Sequence, residues 1–197
     1  MDYDLLMIKV AVISYLLGAI PFGLVLTKLA GLGDIREIGS GNIGATNVLR
    51  TGRKDLAVLT LLLDSGKGAI AVLLTYYLFN PFLMPLAGAA AFLGHCYPIY
   101  LKFKGGKGVA TFFGTLIAIN PMIAGIAASS WLLTALLFRM SSLGALIASV
   151  VAPVVAYSMG EKYLWPFLLI MTVIIYIRHF DNIKRILKGI EPKIGKK

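Results

Sequence analysis

The chain has 197 residues, of which 58% are apolar and only 14% charged, against about 25% charged in an ordinary soluble domain. A core of this size cannot hide so much apolar surface, which excludes a water-soluble globule and makes lipid the expected solvent. The formal charge of +10 would suggest nucleic acid in a soluble protein. Here the basic residues lie between apolar runs, so membrane orientation accounts for them and no nucleic-acid partner is expected.

Apolar runs cover approximately residues 5–30, 56–79, 82–101, 109–119, 122–138, 143–158 and 163–177. Each is expected to be helical, because open strands leave backbone groups unsatisfied in hydrocarbon. The N-terminus, MDYDLLMIK, has no basic n-region, so the first run reads as a retained span and not as a signal peptide. The 109–138 stretch is overlong as one span and carries Asn120-Pro121 in its middle. Taken as two, it becomes a very short helix, a tight turn and a helix of normal length.

Charge decides for two. Arg36, Arg50, Arg53, Lys54, Lys102, Lys104, Lys107, Arg139 and the C-terminal cluster, which ends in Lys196 and Lys197, then share one side. The other side holds Lys9 and Lys162 beside Asp2, Asp4 and Glu161. The positive-inside rule thus predicts an all-α polytopic integral membrane protein with seven transmembrane helices, at least one of them short, N-terminus outside and C-terminus cytoplasmic. Residues 1–197 read as a single membrane-embedded domain without internal repeats. The lone Cys96 excludes an intrachain disulfide, and with two histidines it makes no expected metal site.

Three polar segments fall on the basic side. In the first, Gly39 to Arg50, glycines permit close approach, Ser40, Asn42, Thr46 and Asn47 offer hydrogen bonds, and Arg50 supplies a planar fork for phosphate or carboxylate. A plain capped turn between helices is the alternative. In the second, Lys102 to Thr111, amides freed by Gly105, Gly106 and Gly108 can form an anion nest continued by the helix starting near Val109, with Lys104 and Lys107 adding charge. The plainer reading is a basic anchoring hairpin. In the third, His179 and Asn182 share a helical face, and Ile183, Ile186, Leu187 and Ile190 trace a stripe suited to the membrane surface. Two polar points lie inside apolar runs. Asp64 and Lys67 are one turn apart and should pair, and His95 closes the third run as a packing residue. These groups point to a membrane enzyme or transporter for a phosphorylated molecule.

The strings SGNIGATNVLR, GHCYPIYLKFKGGKGVAT and RHFDNIKRILKGIEPKIG resemble the bacterial membrane glycerol-3-phosphate acyltransferases that use acyl phosphate, a likeness running from about residue 8 to 195. The resemblance implies transfer of a fatty acyl group from acyl phosphate to the 1-hydroxyl of sn-glycerol 3-phosphate, releasing lysophosphatidate and inorganic phosphate, with no cofactor; because acyl phosphate already has a good leaving group, direct transfer without an acyl-enzyme is expected. It implies catalytic roles for Ser40, Arg50, His179 and Asn182. Substrate phosphate binding falls on Gly105, Gly106, Lys107 and Gly108, joined by Asn42, Asn47 and Lys104, while Asp64, Lys67, His95 and Glu191 support the fold. It also implies a multi-pass protein of the bacterial inner membrane whose site faces the cytoplasm, with membrane lipid around it and a monomer as the default assembly. A transporter of a phosphorylated solute is the rival, though transporters usually show paired repeats.

Overall fold

Every apolar run folds as α-helix, as the hydrocarbon requires, in a computed structural model that describes residues 2–195. Lys196 and Lys197, placed above in the basic C-terminal cluster, lie outside the described residues. Packing divides the chain into two units, Met1–Ile119 and Asn120–Lys197.

In the first unit, α1 (Tyr3–Gly18) and α2 (Phe22–Leu29) form one apolar run broken at Ile20 and Pro21. Pro21 has no N–H to continue the ladder. A loop containing the short helix α3 (Ala45–Val48) leads to α4 (Lys54–Leu78). The chain then turns through Asn80, whose side chain caps the next segment, into α5 (Met84–Cys96). Small residues let these helices meet backbone to backbone, the usual basis of association in lipid. A Cβ on Gly18 would stand 2.0 Å from the Ala91 carbonyl oxygen, and one on Gly94 would stand 2.2 Å from that of Tyr15, so α1 and α5 cross in direct contact. The unit ends in α6 (Val109–Ile119), bound to α4 by a hydrogen bond from Thr111 Oγ1 to the Asp64 carbonyl at 2.9 Å.

The second unit begins where Asn120-Pro121 predicts a break. Asn120 Oδ1 caps α7 (Pro121–Phe138) by accepting from the amides of Met122 and Ile123, each at 3.2 Å. Then follow α8 (Ser141–Ser158), α9 (Trp165–Arg178) and α10 (Phe180–Leu187). Thr172 of α9 donates to the Ser149 carbonyl of α8. Residues 189–195 return to the end of α7, where the Ile194 amide donates to the Arg139 carbonyl at 2.6 Å.

The expectation of seven spans is overturned. Among the described residues, five segments are long and apolar enough to cross a membrane: Tyr3–Leu29, Lys54–Leu78, Pro81–Leu101, Pro121–Phe138 and Ser141–Ser158. The α9–α10 pair is bent by 63° and makes a sixth only if the two count as one span. The run at 109–119 fails on length: α6 has 11 residues, which rise about 16 Å against a hydrocarbon layer of about 30 Å. Charge counting separates α6 from α7 correctly but does not lengthen α6.

Candidate active site

The loop between α2 and α4 is built around one amide. Asn47 is 1% exposed, above a floor of Ile35, Ile43 and Val48 that packs on Leu24, Leu56 and Ala57. Its Nδ2 donates to the carbonyls of Ile35 and Ile38, each at 2.9 Å, and of Asn42 at 2.8 Å. Its Oδ1 accepts from the Ser40 amide at 3.0 Å, the Ser40 hydroxyl at 3.3 Å and Arg50 Nη1 at 3.3 Å. Ser40 and Arg50 thus stand beside one another on an exposed surface, each tied to the same buried oxygen. Asn42 Oδ1 accepts from the Gly44 amide at 3.0 Å, just ahead of α3. Both asparagines expected at substrate are therefore engaged inside the loop.

The glycine-rich segment after α5 is seated on that helix. The Gly105 amide donates to the Cys96 carbonyl at 3.2 Å and the Gly106 amide to that of His95 at 3.0 Å. Two amides of the expected anion nest are thus spent on carbonyls. The glycines are required by contact: a Cβ on Gly106 would lie 2.0 Å from His95 Nε2, and one on Gly108, at φ +83°, would lie 2.1 Å from the Phe92 ring. Beside these glycines, Lys104 is exposed and Lys107 half-buried, and an α-helix leaves its first amides, here those of α6, without intrahelical partners. Lys104 also lines a cavity that it shares with Arg36 from the preceding loop.

Under this segment the expected pair forms. Lys67 Nζ lies 2.9 Å from Asp64 Oδ1, and His95 Nδ1 approaches the same oxygen at 3.6 Å. All three residues are buried in protein, not lipid. Lys67 also donates to the Ile20 carbonyl at 2.7 Å, at the break between α1 and α2. His95 therefore links the glycine segment to a buried ionic group.

In the second unit, His179 Nδ1 bonds to the Ile175 carbonyl at 2.8 Å. A carbonyl only accepts, so Nδ1 carries a proton and donates it there. Glu191 is the hub of the neighbouring cluster. Its Oε1 accepts from Ser142 Oγ and Asn182 Nδ2, each at 2.6 Å, and its Oε2 from Arg185 Nε at 2.8 Å. Burial alone would raise the Glu191 pKa, but these three donors hold it below the usual carboxylate value. Sequence reasoning missed Ser142 and Arg185. Arg185 carries a signal, three residues beyond Asn182 on the same helical face, whereas Ser142 stands in none of the three motifs.

The comparisons agree in kind. Residues 8–189 match the family model described as glycerol-3-phosphate acyltransferase. A glycerol-3-phosphate acyltransferase of Caulobacter vibrioides is 59% identical over 93% of this chain and 86% of its own. That of Dinoroseobacter shibae is 56% identical over 98% and 95%, and that of Brucella canis 52% over 99% and 96%. Among solved structures, the crystal structure of PlsY (YgiH), an integral membrane glycerol 3-phosphate acyltransferase, matches in its glycerol 3-phosphate form with TM-score 0.90 and 38% identity over 96% of each chain. Its lysophosphatidic acid form matches with TM-score 0.88 and 36% identity, over 96% of this chain and 95% of that one.

Proposed function

The chain belongs to the glycerol-3-phosphate acyltransferase family, and from that premise we infer that it transfers an acyl group from acyl phosphate to glycerol 3-phosphate, giving lysophosphatidate and inorganic phosphate. It does so as a multi-pass protein of the bacterial inner membrane.

The glycerol 1-hydroxyl oxygen attacks the acyl carbonyl carbon, the bond from that carbon to the phosphate oxygen breaks, and phosphate leaves with the electron pair. The hydroxyl proton passes to a substrate phosphate. An acyl phosphate already carries a good leaving group, so no acyl-enzyme forms; the protein's task is to orient two anions and offset their charge. Arg50 grips the glycerol 3-phosphate, Ser40 orients an oxygen beside it, and Lys104, Lys107 and the α6 amides meet the acyl phosphate. Asn47 and His95 are positioning residues for these groups. The observation that carries this reading is the pairing of Ser40 and Arg50 on one buried Asn47 oxygen, which aims an anion-binding fork and a hydroxyl at the same place.

The reacting loops face the cytoplasm on this reading. Residues 30–53 and 102–108 follow spans separated by two crossings, so they share a side, and both are rich in Lys and Arg.

The test is phosphate release by purified protein given acyl phosphate and glycerol 3-phosphate, with acyl-CoA as the control donor. Release requiring both substrates and refused with acyl-CoA is expected. Arg50→Ala should raise KM for glycerol 3-phosphate by about 10- to 100-fold. Capture of an acyl-Ser40 or acyl-Cys96 adduct in a single turnover would overturn direct transfer.

A further inference from the structure

A cavity of ≈ 480 Å³ opens on the first unit, and its lining includes four cations: Lys28, Arg36, Lys102 and Lys104. Only Arg36 has a carboxylate at contact distance, that of Asp34, which the Arg36 hydrogen bond holds down to about 2. Lys28, Lys102 and Lys104 make no such ion pair among the described residues. Like charges gathered around one cavity favour an anion there. Ser40, Arg50 and Lys107 are not part of the lining; Lys104 is shared with the site proposed for acyl phosphate, so the inference rests on Lys28, Arg36 and Lys102.

Three further observations narrow the occupant. The cavity lies at the ends of two spans, because Lys28 stands in the last turn of Tyr3–Leu29 and Leu101 ends Pro81–Leu101. That is the depth of lipid phosphates. Apolar side chains flank the cations: Leu29 is 82% exposed, Phe103 57% and Ile99 52%. A free phosphate needs no such skirt, whereas a lipid lays its chains along it. Lys102 and Phe103 also both adopt left-handed backbone, at φ 52° and 63°, without being glycine. Such strain persists where the surroundings impose it and marks sites of function, and here it carries the chain between two lysines of the lining.

We propose that this cavity is a binding site for the phosphate headgroup of an anionic membrane phospholipid. The shared chemistry is a phosphate ester, and the occupant is the lipid rather than a soluble phosphate.

The test uses the full chain in nanodiscs of phosphatidylglycerol diluted in phosphatidylcholine, reading the immobilised fraction of each spin-labelled lipid. Wild type should prefer phosphatidylglycerol. The double variant K28Q/K102Q should lose at least about fivefold of that preference, the contribution of one interfacial cation, and K28R/K102R should keep it. K188Q/K193Q removes equal charge outside the cavity and should leave the ratio unchanged. An equal loss in K188Q/K193Q, or no loss in K28Q/K102Q, overturns the site. Inorganic phosphate binding in pure phosphatidylcholine nanodiscs that K28Q/K102Q abolishes, with the lipid ratio unmoved, assigns the cavity to a soluble anion and overturns the lipid.

Discussion

At the scale of single residues, the exposed side chains of the first polar loop are held by a buried one. Asn47 spends its whole amide on the loop and, in doing so, holds Ser40 and Arg50, the pair proposed above to act on substrate. Asn47→Ala should therefore lower kcat/KM for phosphate release by about 100-fold, the effect of a displacement near 1 Å, and Asn47→Asp, which keeps Oδ1 but loses both Nδ2 donors, should fall in the same direction. Composition alone shows that residues 39–50 are polar and glycine-rich. It does not show whether an amide turns inward to carbonyls or outward to ligand, and so Asn47 reads from sequence as a substrate contact. Glu191 makes a second prediction. Its pKa is lowered in the folded protein, so the stability that it adds is present above about pH 4.5 and is lost as pH falls through the lowered value. Glu191→Gln should melt at a lower temperature than wild type at neutral pH, with the gap closing as the solution is acidified below pH 4; a gap independent of pH would remove the carboxylate charge from the account.

Whole helices are joined through few polar contacts. Asp64 and Lys67 sit one turn apart on α4 and form the expected pair at 2.9 Å. That much is legible in the spacing. What is not legible is the Ile20 carbonyl, 47 residues away in sequence, which Lys67 also meets. Removing one partner strands a buried charge: Lys67→Met or Asp64→Asn should cost about 3–5 kcal/mol, read as loss of melting temperature in detergent. The double variant should recover part of that loss, though not the bond to Ile20. Element boundaries follow sequence cues well wherever a breaker acts locally, as at Pro21 and at Asn120-Pro121. The number of spans does not, because an apolar run of 11 residues has the composition of a crossing without its length. The 63° bend between α9 and α10 has no proline or glycine to announce it.

Taken whole, the molecule keeps its chemistry at the ends of its spans, and sidedness becomes a measurable property. Glu37→Cys and Lys54→Cys should react with a membrane-impermeant maleimide in inverted vesicles and resist it in intact spheroplasts, while Asn80→Cys should do the reverse. Native Cys96 is 0% exposed and should stay silent in both. The common side of the first two polar segments is legible from charge. The close seating of the glycine segment on α5 is not, since three glycines within four positions serve an anion nest and a tight helix contact equally well in a linear text.

The bond from Lys67 to Ile20 also bears on how the protein is made. A nascent first span reaches the proline break before Lys67 has been made, and its Ile20 carbonyl then has only the Phe22 amide, at 3.2 Å, of the two donors that it meets in the folded chain. The first two crossings are therefore each better satisfied once they have met than when either stands alone in hydrocarbon.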